Sequence, residues 1–372
     1  MVNLNTSGVV PVGADHSWSR WAETSFLRVD MKSYNRILGI STLPDGSQAV
    51  HVQAGCLLRS LISALSYHDL CIPSVPILLD QTIGGMISTG SHGSSLRYGT
   101  TSELVKGLKM ILPNGELKTL GCCQPQQQSS SEALRDQEVD DESLFRAARM
   151  SLGQLGIITE VVLRVERVYH VEQEVISLSI ENFCELACEE GRGLHASYEH
   201  VWGHMRLGGG EVTVVGLRRK EGEDASQQVA KEPCQPQPDA RGDHPADSQD
   251  YPLPDQVLLH RLESDHLPRF WKSDRYHGKN WFPFPPPQKV AGQEQEDDFG
   301  SGKHLSLQYN FPLNRLREIV TTLLEASMFR HDMPTRDYLG RIVEIKFIGK
   351  EKNPAMLGAS EALCCFNIYW KR

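Results

Sequence analysis

Three glycine-centred segments carry the residue types suited to holding a charged small molecule through backbone groups. The first is Val12-Gly13-Ala14-Asp15-His16-Ser17-Trp18-Ser19. Glycine after an apolar run permits a tight turn, and the small or polar residues behind it present successive backbone N–H groups, a nest suited to pyrophosphate. The second segment, Asp80 to Ser95, is dominated by glycine and hydroxyl residues (Gly84, Gly85, Ser88, Thr89, Gly90), with His92 near its end. Such a run is expected to pack poorly as an ordinary strand or helix and to let the backbone pass close to a flat or anionic ligand, anchored by Ile83, Met86 and Ile87. The third joins Asp141–Arg149 to Leu152-Gly153-Gln154-Leu155-Gly156-Ile157-Ile158-Thr159, a helix ending at glycine before a β-branched strand. Taken singly none is specific, and His16 alone reads as a structural turn histidine. No GxGxxG follows a strand, and GxxxxGK[ST], GxSxG and HExxH are absent, so neither a dinucleotide fingerprint nor a P-loop, serine-hydrolase or zinc-protease site is legible.

The elements that must position these segments follow from periodicity and turn chemistry. Apolar Gly8–Val12 and alternating Leu27–Met31 read as short strands, and Ile37–Ser41 with Ala49–Gln53 flank an Asp45-Gly46 hairpin turn. Leu57, Leu58, Leu61, Ile62 and Leu65 form a helical stripe within Cys56–Leu70. A second hairpin runs from Val105 through Pro113-Asn114-Gly115 to Leu120, followed by a helix over Glu142–Met150 and a strand over Ile157–Val165. Further on, Val212–Arg218, Ser306–Phe311 and Val343–Ile348 read as strands and Leu313–Met328 as a helix. Gln124–Asp141, rich in Gln, Ser and acids, and Lys220–Gln256, with too few large apolar residues to offset ordering entropy, read as unfolded inserts, and the proline-rich Trp281–Phe299 reads as another loop. Arg241-Gly242-Asp243 falls in one of them and reads as a chance tripeptide.

With 372 residues, the chain is long enough for two or three domains, and 40% hydrophobic with 23% charged residues is ordinary globular composition. A net charge of -9 without a basic block argues against nucleic acid and anionic membrane as main partners. The nine cysteines form neither a CxxC pair nor a zinc pattern, so they read as reduced thiols of an intracellular protein with no metal site. No signal peptide or spanning apolar run is visible.

In this order and spacing the three glycine segments resemble the FAD-binding domain of the p-cresol methylhydroxylase / vanillyl-alcohol oxidase type, as it occurs in the sugar-lactone and alditol oxidases. The resemblance is strongest over residues 1–167. It implies an α+β protein: a PCMH-type FAD-binding domain over 1–167, built of two α/β subdomains with the N-terminal one truncated, then a substrate (cap) domain over 168–372 with an antiparallel sheet and disordered inserts near 220–256 and 281–299. His16, at the place of the histidine in the family's "GHS" segment, would bond covalently to the flavin, with Asp15 standing where a small or polar residue is more usual. Gly13, Ala14, Asp15 and Ser17 would wrap the pyrophosphate and isoalloxazine edge; Gly84, Gly85, Ser88, Thr89, Gly90 and His92 would form the second wall; Gly156 and Ile158 would meet the adenosine or ribityl portion.

The family's Glu-x-Arg segment is Glu344-Ile345-Lys346 here, and residues i and i+2 of a strand share a face. By the resemblance Glu344 would hydrogen-bond or deprotonate substrate hydroxyls, and Lys346 would stabilise the anionic reduced flavin. The implied activity is oxidation of an aldono-1,4-lactone of the arabinono-, gulono- or galactono- type with O2, giving ascorbate or an analogue and hydrogen peroxide. The alternatives are an alditol oxidase acting on a polyol, or a truncated non-catalytic remnant. Family members begin with a further strand-helix unit and end with a His-Trp-Gly/Ala-Lys segment, whereas this chain stops at Trp370-Lys371-Arg372, so both ends are expected to be clipped. The expected location is intracellular, cytoplasmic or peripheral to a mitochondrial or ER membrane.

Overall fold

The computed structural model describes residues 8–17, 24, 27–76, 78–122, 141–169, 171–219, 304–328, 342–352, 354–355 and 358–371. The three expected inserts, apart from Asp141, lie outside these residues, as do Trp18, Ser19 and the Arg-Gly-Asp tripeptide.

Near the N-terminus β1 (Val9–Val12) pairs in parallel with β2 (Leu27–Asp30), Val9 opposite Leu27. An antiparallel sheet follows. Its first hairpin joins β3 (Ile37–Thr42) to β4 (Gln48–Gln53) through a turn where Gly46 takes φ +81° and the Asp45 carboxylate accepts from the Ser47 N–H at 2.9 Å. Helix α1 (Leu58–Ser66) buries Leu58, Leu61, Ile62 and Leu65, the stripe expected from its periodicity. After β5 (Leu70–Cys71) comes α2 (Ile83–Ser88), then the hairpin of β6 (Val105–Ile111) and β7 (Leu117–Gly121), helix α3 (Asp141–Ala148) and β8 (Ile157–Arg167). Strand order is β3-β4-β8-β6-β7, with β5 alongside β8. The central strand β8 sends Val161, Leu163 and Val165 into a core shared with Val50, Val52, Leu108 and helices α1, α2 and α3.

Helix α2 corrects one expectation, since it lies inside the Asp80–Ser95 run that was read as avoiding regular structure. Thr82 caps it by accepting from the Gly85 N–H at 3.3 Å, and Ile83, Met86 and Ile87 are fully enclosed. Two helical glycines cost about 1 kcal/mol each. Burying three large apolar side chains contributes about 1.5–3 kcal/mol each, which outweighs that cost. Gly84 also lets the helix lie against Ala54, whose Cβ would stand 3.0 Å from a Cβ at that position.

The second sheet is built from β9 (Val171–Ser179), β10 (His200–Arg206), β11 (Glu211–Arg219), β12 (His304–Pro312), β13 (Ile342–Ile348) and β14 (Leu363–Lys371), in the antiparallel order β12-β14-β13-β10-β11-β9. Strands β9 and β14 were not read from the sequence, nor was helix α4 (Ile180–Ala187), which Ser179 caps. Both faces of β14 are enclosed, so Leu363–Ile368 shows little of the alternation that betrays a one-sided strand. On one face Val343, Ile345, Phe347 and Phe366 pack with Phe183 of α4 and with Leu316 and Val320 of α5 (Leu316–Met328). Glu344, Lys346, His204 and Asn367 alternate onto the other face.

Residues 94–100 stitch the two sheets together. The Ser95 N–H donates to Phe347 O at 2.9 Å, Gly349 N–H to Ser95 O at 3.0 Å, and the Phe347 N–H to Ser94 Oγ at 3.0 Å. Gly349 is required there, because a Cβ would fall 2.1 Å from Leu96 O. The buried Glu351 carboxylate accepts from the Thr100 N–H at 2.9 Å and its hydroxyl at 2.6 Å. Among the described residues, no helix is long and apolar enough to cross a membrane.

Candidate functional site

The three glycine segments, far apart in sequence, meet around one cavity of about 490 Å³. That size lies within the range of about 300–1,000 Å³ usual for small-molecule sites. The first segment turns sharply at Gly13 after β1, and a Cβ on Gly13 would sit 2.1 Å from Thr82 Oγ1, the hydroxyl that caps α2. Glycine is what allows the two segments to touch. Asp15 holds φ +63°, a left-handed conformation that Asp tolerates better than most residues, and its exposed carboxylate faces Arg28 at 3.5 Å. The Leu152 N–H of the third segment donates to Ser88 O at 3.0 Å, which brings Gly153 to the same rim. Gly153, at φ +73°, has open space where a Cβ would project, with Pro11 Cγ nearest at 3.9 Å.

Of the residues singled out, Gly13, Ala14, Asp15, His16, Ser17, Gly84, Gly85, Ser88, Thr89, Gly156 and Ile158 line this cavity. Gly90 does not. It turns the chain out of α2 at φ +66° and packs on Met150. The sequence reading passed over Gln81 and Gln154, which also line the cavity. Gln81 accepts from the Ser91 hydroxyl at 3.0 Å, and no local pattern marked either glutamine. The walls are mainly backbone and small side chains, a cradle that larger residues would fill.

His92 belongs elsewhere, to the inner face of the second sheet. Its Nδ1–H donates to Gly93 O at 2.7 Å, and Nε2 accepts from the Gln308 amide at 2.7 Å, so both nitrogens are used in the neutral ring. Burial pushes its pKa down to about 4, with the Lys346 charge adding to the effect. Strand register then sets a row of polar residues directly opposite one another: Gln308 to Asn367, Asn367 to Glu344, Glu344 to His204, and His204 to Thr213. Glu344 has no exposed surface. Its Oε2 accepts from Lys346 Nζ at 3.0 Å and from Asn367 Nδ2 at 3.0 Å, and its Oε1 faces His204 Nε2 at 3.8 Å. Burial pushes this carboxyl up, but Lys346 and His204 together outweigh it and hold the group ionised, below the usual carboxylate range. Lys346, 9% exposed, is the outward member of the pair. The pair does not lie on an edge strand, since β13 runs between β14 and β10.

Comparison with known proteins places this geometry. Residues 3–121 match the FAD binding domain family, and the fold is of the PCMH type. Cholesterol oxidase from B. sterolicum aligns with 98% of this chain and 74% of its own at TM-score 0.57 and 14% identity, a likeness of fold alone. D-arabinono-1,4-lactone oxidase of Eremothecium gossypii is 34% identical over 172 residues, 45% of this chain and 29% of the relative. The enzyme of that name from Yarrowia lipolytica is 32% identical over 172 residues, again 45% of this chain and 30% of the relative. L-gulonolactone oxidase of Bos taurus is 30% identical over 162 residues, 44% and 32% respectively. Through this domain the chain is similar to the FAD-linked sugar-lactone oxidases. It spans about 29–32% of the length of these curated relatives.

Proposed function

We propose that the chain holds FAD in the cavity, bonded covalently through His16, and oxidises an aldono-1,4-lactone with O2 to ascorbate or an analogue and hydrogen peroxide. The observation that carries this reading is the convergence of the three glycine segments on one cavity with His16 in its wall. Gly13, Gly84 and Gly85 leave room for a pyrophosphate against the backbone, and Gly156 and Ile158 line the same cavity. FAD, when bound, supplies the acceptor for the hydride leaving the hydroxyl-bearing carbon and the route from there to O2.

The chain's own groups handle the proton. Lys346 is the member of the buried pair that reaches outward, so it meets the substrate hydroxyl or the anionic flavin edge, while Glu344 behind it receives the proton charge. Gln308 and Asn310, exposed on the same face, suit the remaining hydroxyls of a neutral sugar derivative.

Acid precipitation of the purified protein tests the covalent link. Flavin should remain with the pellet in wild-type protein and pass to the supernatant in His16→Ala. Protein without flavin absorbance after expression with excess riboflavin would sink the reading. Peroxide release from gulonolactone, galactonolactone and xylitol separates a lactone oxidase from an alditol oxidase.

A further inference from the structure

The hydrogen-bonding character that Gln308 and Asn310 show to solvent is fixed from behind, starting at His92. The carbonyl of Gly93 can only accept, so its contact at 2.7 Å requires a proton on His92 Nδ1. Burial keeps the ring neutral, which leaves Nε2 bare and able only to accept. Nε2 lies 2.7 Å from the Gln308 amide, so the NH2 of Gln308, and not its oxygen, must face the ring. The same NH2 gives its second proton to Asn310 Oδ1 at 2.7 Å, which fixes the Asn310 amide in turn. A half-turn of the Gln308 amide would set its oxygen against the bare Nε2 and against Asn310 Oδ1, two contacts between acceptors. Gln308 Oε1, an acceptor, and Asn310 Nδ2, a donor, are left without a partner among the described residues.

Strand geometry places these two groups beside the buried ion pair. Gln308 and Asn310 share a face of β12 and are exposed, whereas His92 behind them is buried. Gln308 stands opposite Asn367, which stands opposite Glu344. Two strand spacings of about 4.8 Å put Gln308 about 10 Å from Glu344 along the sheet. Lys346 lies near enough to His92 for its charge to disfavour the imidazolium. A small ligand that meets the Lys346 ammonium therefore has its far end within reach of the two amides.

We propose that His92 is a positioning residue that locks Gln308 and Asn310 into an acceptor–donor pair, which reads the end of the substrate remote from Lys346; this rests on the oxidation proposed above. Gln308 Oε1 takes the proton of a substrate hydroxyl, and Asn310 Nδ2 donates to a neighbouring oxygen, whether carbonyl, ring ether or hydroxyl. The ligand class is a neutral polyhydroxylated compound. A carboxylate in the same place has no proton to offer Gln308 Oε1 and is disfavoured.

In the holoenzyme, Gln308→Met removes the acceptor at nearly constant volume. It should raise KM for gulonolactone about fivefold, the scale of one hydrogen bond, with a much smaller change in kcat. His92→Phe keeps a planar ring but releases the Gln308 amide. KM for gulonolactone should again rise, while gulonate, the open-chain carboxylate, should become a tighter competitive inhibitor. Loss of structure alone would weaken both. Nitrogen-15 NMR of wild-type protein, which needs no turnover, should show His92 with Nδ1 protonated and Nε2 bare. Gln308→Glu should move Nε2 to the protonated range, since a carboxylate can only accept. Gln308 is exposed, so its variants test the lock even where His92→Phe does not fold. A resting Nε2–H in wild-type protein, an unchanged KM in Gln308→Met, or parallel weakening of gulonolactone and gulonate in folded His92→Phe overturns the lock. Failure of wild-type protein to oxidise any lactone or polyol overturns the proposed function instead, and the nitrogen shifts still decide the arrangement at His92.

Discussion

The glycine-lined cavity and the polar row of the second sheet are built from opposite materials. The cavity is bounded by backbone and small side chains of three turns, and glycine determines its shape: at Gly13 a single methyl would strike Thr82. The row is made of side chains, its shape is determined by strand register, and its central carboxylate is wholly enclosed with partners on the two neighbouring strands. A backbone-lined cavity suits a large anionic ligand that many residues could greet equally well. An enclosed charged row suits the control of one proton, because low local polarity makes each charge depend strongly on its neighbour. Residues 91–92 join the two regions: Ser91 lines the cavity and His92 turns into the row.

This contrast can be broken most forcefully at Glu344. Glu344→Ala leaves Lys346 buried without its counter-charge and should destabilise the fold by about 3–5 kcal/mol in denaturant unfolding. Glu344→Ala combined with Lys346→Met should recover much of that loss; a double variant as unstable as the single one would show that the pair is not a unit. Acid should act next, and again on the row. His92 is held neutral with its pKa near 4 against an ordinary 6.5, so the unfolded chain binds the extra proton between those values. Its contribution is whole above pH 6.5 and declines as pH falls toward 4, worth up to about 3 kcal/mol. His92→Gln should flatten that part of the stability–pH curve. The smallest effect is expected at the cavity. Gly13→Ala should cost about 1–3 kcal/mol through overpacking against Thr82, yet lower flavin content far more than it lowers the melting temperature. Unchanged flavin content in Gly13→Ala would remove the claim that glycine shapes the cavity.

The two regions also differ in how far the sequence revealed them. The cavity's segments were legible because turn chemistry is local: Gly13, Gly84, Gly85 and Gly156 stand out wherever the rest of the chain lies. Even there Gln81 and Gln154 escaped notice, since a glutamine beside a turn has no signature. Helix α2 was missed because its glycines mask a stripe, Ile83, Met86 and Ile87, that only burial makes helical. In the row only Glu344 and Lys346 were found, two residues apart on one strand. His204, Asn367 and Gln308 lie 140, 23 and 36 positions from Glu344 (344 − 204, 367 − 344 and 344 − 308), and nothing local ties them to it. His92 was grouped with the glycine wall by proximity in sequence, although its ring faces Gln308.

The sequence alone thus determined the local conformations: which glycines must turn, which stripes must be buried, and that Glu344 and Lys346 share a strand face. Tertiary structure alone decided that the three turns close around one cavity, that β13 runs between β10 and β14, and that His204 and Asn367 flank the buried carboxylate. Turns depend on the φ and ψ of a few adjacent residues, which side-chain type constrains directly. Cross-strand partners depend on register between distant segments, which is set by how the whole apolar face of the sheet packs.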